Sequence, residues 1–230
     1  FGIPAIASNV GGTNEAVLHN KTGIIINNID DTVSHNGVSY EIVQSPYTQR
    51  LWLDRNLGAS QVCEALADTA CYGDYYQWGR NTDGHEKASS SVTVTRATNI
   101  TIAGSQFIKV PYSPYDWVAP SVDDDGSLRS ANWSKTDGSS VCPVGYRVPT
   151  ITELAAETGS VDSNTDAFNN FLKLPSAGYS FSGSGSMLDQ GSVGFVWSSS
   201  ATGSYSNYLV FDSSGANLRA NGRSVRCLKD

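Results

Sequence analysis

The chain has 230 residues, enough for one large domain or two small ones with a buried core. Charged residues make up only 16% and the formal net charge is -7, a density and sign that argue against a nucleic-acid partner. No apolar run approaches the roughly 18 residues of a membrane span, and no secretory leader is legible, although a chain that starts at Phe1 can lack an upstream segment.

In chain order, residues 1–28 read as a strand at 3–7, a Gly-Gly turn, a helical turn at 14–18 and an apolar strand at 23–26. The composition changes from Asp31. VSYEIV at 38–43 alternates and predicts a strand, and LWLDRNL at 51–57 predicts a second with Trp52 buried. YGDYYQWGR at 72–80 is aromatic and predicts a short helix or tight turn. Residues 81–140, rich in Thr, Ser, Asp and Pro, look like an insertion with a strand at 106–110.

Thr150 followed by Glu153 is a capping-box signature, so a helix is expected from there to Gly159. A second helix is expected over 166–174, with Phe168, Phe171 and Leu172 on one face and Pro175 as its stop. From Ser176 on, the Gly/Ser turns predict strands and loops only. In NYLVFD at 207–212 the strand period puts Leu209 and Phe211 toward a core, and Tyr208, Val210 and Asp212 together on the other face. By the same rule Phe195 and Trp197 share a face.

The four cysteines are Cys63, Cys71, Cys142 and Cys227. An even number in a low-charge, Ser/Gly/Asn-rich chain suggests disulfides and an oxidising compartment. The local pair is Cys63 with Cys71, leaving Cys142 with Cys227. Free buried thiols and a metal site are the weaker alternatives: there is no C-x2-C pair, and His19, His35 and His85 show no ligand spacing.

Catalytic signatures such as a nucleophile elbow, a phosphate loop, a dinucleotide fingerprint or H-E-x-x-H are not present in the sequence. Asp123, Asp124 and Asp125 could bind calcium through carboxylate oxygens, but without the spacing of an EF-hand they read first as a solvated acidic turn. Asp74, Asp83 and Glu86 near Arg80 read as structural ion pairs ahead of an acid/base pair.

Two resemblances follow from motifs. FGIPAIASN, GGTNE and TG in residues 1–28 resemble the sugar-nucleotide-binding stretch of GT-B glycosyltransferases of family 4 type. That resemblance would make Gly11, Gly12 and Glu15 donor contacts. It covers about a tenth of the chain, so residues 1–30 are taken as an appended remnant without transferase activity. WLDRNLGA, YGDYYQWGR, CPVGYRVPTITEL, LKLPSAGY, VWSSS and SVRC, in that order, resemble the "Fibrobacter succinogenes major paralogous" domain family. This is a branch of the C-type-lectin-like and formylglycine-generating-enzyme-like fold. The resemblance implies an α+β, C-type-lectin-like domain over 31–230, with short strands, two helices, long loops and disulfide ties.

Residues 176–228 are further similar to the variable regions of proteins diversified by retroelements, in which adenine-directed mutagenesis acts mostly on Asn codons. Such codons cannot become Lys, Glu, Gln, Met or Trp, and residues 191–228 contain only Trp197 of these. A Gly/Ser-rich β segment can show the same bias by composition. The resemblance implies ligand-contacting positions at Phe181, Leu188, Asp189, Val193, Phe195, Thr202, Tyr205, Tyr208, Val210, Asp212, Gly215 and Arg223. The frame would be Trp197, Ser198, Ser199, Leu209, Phe211, Ser224, Val225 and Cys227.

The expected function is non-enzymatic binding at a cell or virus surface, without cofactor or metal. The expected partner is a protein ligand, with a glycan second. The alternatives are a fixed-specificity adhesin or structural module of the same fold, and a sulfatase-modifying type of enzyme, which would need a reactive thiol at Cys142 or Cys227.

Overall fold

A computed structural model describes residues 32–159, 161–211 and 213–230, with side chains in the last stretch from Leu218 on. The glycosyltransferase-like residues 1–28 lie outside the described residues.

The described chain opens with a hairpin of β1 (Val33–His35) and β2 (Val38–Tyr40). Its Asn36-Gly37 turn has positive φ at both residues, the conformation that matches the twist of paired strands. The expected single strand at 38–43 is therefore two, because the chain breaks at Glu41 before β3 (Ile42–Gln44). Next come β4 (Leu51–Leu53), a 3-10 turn at Thr69–Cys71, and β5 (Tyr76–Gln77), which replaces the helix considered for 72–80 and runs into a tight turn at Gly79. β6 (Val92–Thr93) and β7 (Phe107–Ile108) pair in parallel.

Three helices follow among the described residues, one more than expected. α1 (Ser127–Trp133) has no side-chain cap at Gly126. Instead the Asp123 carboxylate accepts the backbone N–H groups of Leu128 and Arg129, which supplies the anion that a helix start favours. After β8 (Tyr146–Arg147), α2 (Ile151–Thr158) carries the expected Thr150/Glu153 capping box and ends at Gly159. α3 (Asn164–Asn169) is shorter than expected and stops well before Pro175. Asn170 is the cause: its Oδ1 accepts from the Leu172 N–H and its Nδ2 donates to the Glu157 carbonyl, a side-chain competition that ends helices. Consequently Phe168 and Phe171 pack against different clusters.

Beyond Ser176 the chain is strand and turn: β9 (Tyr179–Ser180), β10 (Met187–Leu188), β11 (Phe195–Thr202), β12 (Tyr205–Val210), β13 (Ser213–Asn217), β14 (Gly222–Arg223) and β15 (Leu228–Lys229). They form an antiparallel meander β11-β12-β13 and two four-stranded sheets, β10-β9-β14-β5 and β3-β4-β15-β8. The C-terminal strand thus sits between early and middle strands. The fold is α+β and disulfide-tied, with both expected bridges, Cys63–Cys71 and Cys142–Cys227.

All five tryptophans are buried and each indole N–H is satisfied, the usual requirement for a buried indole. Trp78, Trp133, Trp197 and the Cys142–Cys227 bridge share one core cluster, whereas Trp52, Leu154, Val196, Leu209 and Phe211 form a second. Residues 81–140 contribute to the core: Ile108, Trp117, Arg129 and Trp133 within them are fully buried.

Candidate binding face

The β11–β12 register sets the site. Phe195 lies opposite Val210, Val196 opposite Leu209 and Trp197 opposite Tyr208. Cross-strand partners share a face, so Phe195, Trp197, Tyr208 and Val210 lie on one side, and Val196 and Leu209 on the other with the second core. This accounts for the shared face of Phe195 and Trp197. The Trp197 end is covered and the Phe195 end is half-open.

Arg223 of β14 reaches the same face. Its guanidinium carbon lies 3.9 Å from the ring centroid of Tyr208, 4.3 Å from Phe195, 5.0 Å from Trp197 and 5.3 Å from Tyr179. The rings brace one another: Tyr179 meets Phe195 edge-on at 5.3 Å, and Trp197 meets Tyr208 edge-on at 5.8 Å. Such cation–π contacts run from about 0.5–1 kcal/mol at exposed sites to about 2 kcal/mol when desolvated. Arg223 is only 1% exposed, and burial pushes its pKa down to about 10. It therefore departs from the expectation of an exposed contact residue. It sits beneath the face and supports the rings.

Other expected positions join this surface. Leu188 lies opposite Tyr179 across β9–β10 and is exposed, and Asp189 follows it with φ 58°. Val193 and Val210 line a concavity of about 210 Å³ with Phe211 and residues 162–164. Gly215 stands opposite Tyr208 in the β12–β13 register. Asp212 lies outside the described residues.

Three positions are not gathered there. Phe181 is at the tip of the β9–β10 hairpin, where its N–H donates to the Ser186 carbonyl. Thr202 and Tyr205 close the opposite end of the β11–β12 hairpin, roughly 20 Å from Phe195 at the usual strand rise. The frame residues Trp197, Ser198, Ser199, Leu209, Phe211, Ser224, Val225 and Cys227 are all buried.

Two contributors were not read from the sequence. Tyr179 completes the ring cluster, and only its place opposite Leu188 would have pointed to it. Arg219 is fully buried and pins the β11–β12 tip, donating to the carbonyls of Gly203 and Asp124 and to Ser206 Oγ.

The remaining polar clusters are hydrogen-bonded within the chain. The Asp123 carboxylate is engaged by Arg129 as well as by the start of α1, while Asp124 and Asp125 accept backbone N–H groups of Ser121 and Ser127. Arg80 pairs with Asp83, and Asp74 with Lys87. Asp83, His85 and Glu86 bring ligand-type atoms within 4.8 Å of one another. Those atoms are taken up by the protein: His85 Nε2 accepts from the Gln77 N–H, His85 Nδ1 meets Asp83, and Glu86 accepts from the Gly84 N–H. Cys142 and Cys227, the thiols a sulfatase-modifying reading would need, are bridged to each other.

No family model matches the chain, and no curated protein and no solved structure matches it.

Proposed function

We propose that the chain is a non-enzymatic binding protein, a C-type-lectin-like scaffold that displays a retroelement-diversified surface outside a cell or on a virus particle. The observation that carries this reading is the gathering of Leu188, Asp189, Val193, Phe195, Tyr208 and Val210 around one half-open face over a fully buried frame. Aromatic residues on a rigid support give large contact area at low entropic cost, which suits a protein ligand. The disulfide pairs fit an oxidising location.

Population sequencing of the coding segment for residues 176–228 tests the reading. Substitutions should concentrate at the display positions and spare Trp197, Leu209 and Phe211. A near-copy of the segment should lie beside a reverse transcriptase gene. Substitutions spread evenly over display and frame codons, with no such copy, would leave a fixed-specificity module instead.

A further inference from the structure

Five arginines are among the largest fully buried side chains: Arg80, Arg129, Arg219, Arg223 and Arg226. Four of them have their donors answered within the chain. Arg80 donates to Asp83, to the Gln77 side chain and to the Gly104 carbonyl. Arg129 is held by Asp116 and Asp123. Arg219 donates to the Gly203 carbonyl at the β11–β12 tip and to the Asp124 carbonyl ahead of α1. Arg226 donates to the carbonyls of Leu53 and Leu172 and to Asn56 Oδ1.

Arg223 is the exception. Its Nε and Nη1 have no hydrogen-bond partner among the described residues, and no carboxylate there stands within ion-pair distance. Asp189 acts on it only electrostatically and is itself exposed. Ring faces and a side-chain interaction with the Tyr208 hydroxyl return part of the lost hydration, but they leave Nε and Nη1 without the acceptors that a buried guanidinium requires.

We propose that Arg223 is the anion-recognising base of a ligand site on this face, and that its absent acceptor is a carboxylate carried by a protein ligand, on an acidic side chain or a chain terminus. This rests on reading the face as a ligand surface. One guanidinium, with no lysine or second arginine among the groups acting on it, matches one negative charge. A phosphate dianion would leave half its charge unanswered between apolar rings. Tyr179, Phe195 and Tyr208 are only half-buried, and these outer rings must move aside for a ligand to reach the guanidinium. The neighbouring Leu188, Val193 and Val210 supply an apolar rim that excludes water and strengthens the charge pair.

The test is a titration of the whole 15N-arginine-labelled protein, reading the Arg223 Nε–H resonance, which Arg223→Lys identifies by its loss. Sodium acetate is the probe, with inorganic phosphate and chloride at matched ionic strength as comparisons. A saturable shift of that resonance with acetate, weaker with phosphate and absent for the other four buried arginines, is expected. A shift that stays linear, or tighter saturation by phosphate, overturns the carboxylate site. A large shift of the same resonance on Asp189→Asn or Asp212→Asn without acetate also overturns it, because the acceptor would then belong to the chain. The two readings fail separately. Acetate saturation without sequence diversification leaves this site standing. Diversification without saturation removes this site alone.

Discussion

The Arg223 guanidinium carbon lies 3.9 Å from the centroid of the Tyr208 ring. The two residues belong to different sheets, β14 and β12, so this contact joins the sheet carrying Tyr179 to the meander carrying Phe195. A position expected to vary freely, Tyr208, is therefore coupled to a buried charge. A double-mutant cycle of Tyr208→Leu and Arg223→Met, followed by urea unfolding, should give a coupling of about 1 kcal/mol. A coupling indistinguishable from zero would mean that the ring does not support the guanidinium.

The two bridges should differ in weight. Cys63–Cys71 spans 8 residues and Cys142–Cys227 spans 85. In the chain-entropy model the short loop contributes about 2.5 kcal/mol and the long one about 4.5 kcal/mol. Peptide mapping of the unreduced protein should recover both pairs. The Cys142→Ser/Cys227→Ser double variant should lower the urea midpoint more than Cys63→Ser/Cys71→Ser does. The reverse order would show that native-state effects outweigh loop closure.

Local features were legible in the sequence, and cross-chain ones were not. The Thr150/Glu153 box, the alternation at 207–211 and the Cys63–Cys71 pair each depend on residues a few positions apart. Helix α1 was hidden because Asp123, Asp124 and Asp125 read as a solvated turn, whereas Asp123 folds back onto the helix start. The sequence marks Arg223 only as a residue that breaks a Ser/Gly/Asn background, which points to a display position. Its burial comes from β14 pairing with β5, nearly 150 residues earlier, and from rings on three other strands. No local pattern encodes that meeting.

His85 should make folding sensitive to mild acid. It is fully buried, and its Nε2 accepts from the Gln77 N–H, which fixes the proton on Nδ1 toward Asp83. Desolvation lowers its pKa, with Arg80 acting in the same direction and Asp83 and Glu86 opposing. A folded pKa below the unfolded value of about 6.5 means that the unfolded chain binds more protons in that window. The contribution is therefore complete above pH 6.5 and is lost as pH falls toward the folded pKa. Unfolding midpoints should decline as pH falls through the unfolded histidine range, and by its 15N shifts the His85 ring should protonate at lower pH in the folded protein than in the unfolded chain. A fully protonated ring at pH 6 would reverse the assignment.

Display and frame should separate by stability. Tyr205 is 50% exposed and Leu188 39%, so Tyr205→Ala and Leu188→Ala should each change stability by within about 0.5 kcal/mol. Trp197 and Phe211 are buried on opposite sides of the β11–β12 pair, and truncating either to Ala should cost about 3–5 kcal/mol. Gly194 belongs with the frame. A Cβ there would fall 1.8 Å from the Phe211 ring and 2.5 Å from the Pro175 carbonyl oxygen, so Gly194→Ala should cost about 1–3 kcal/mol through overpacking. Phe195 and Tyr208 fall between the classes, because their exposed edges can contact a ligand while their faces cover Arg223. Replacing both by Tyr, Phe or His should preserve folding, whereas replacing both by Gly should expose Arg223 and lower the melting temperature. Any diversification at these two positions would then be filtered toward rings. If the double Gly variant melts with the wild type while Trp197→Ala does so too, neither the ring cluster nor the frame holds this end of the molecule together.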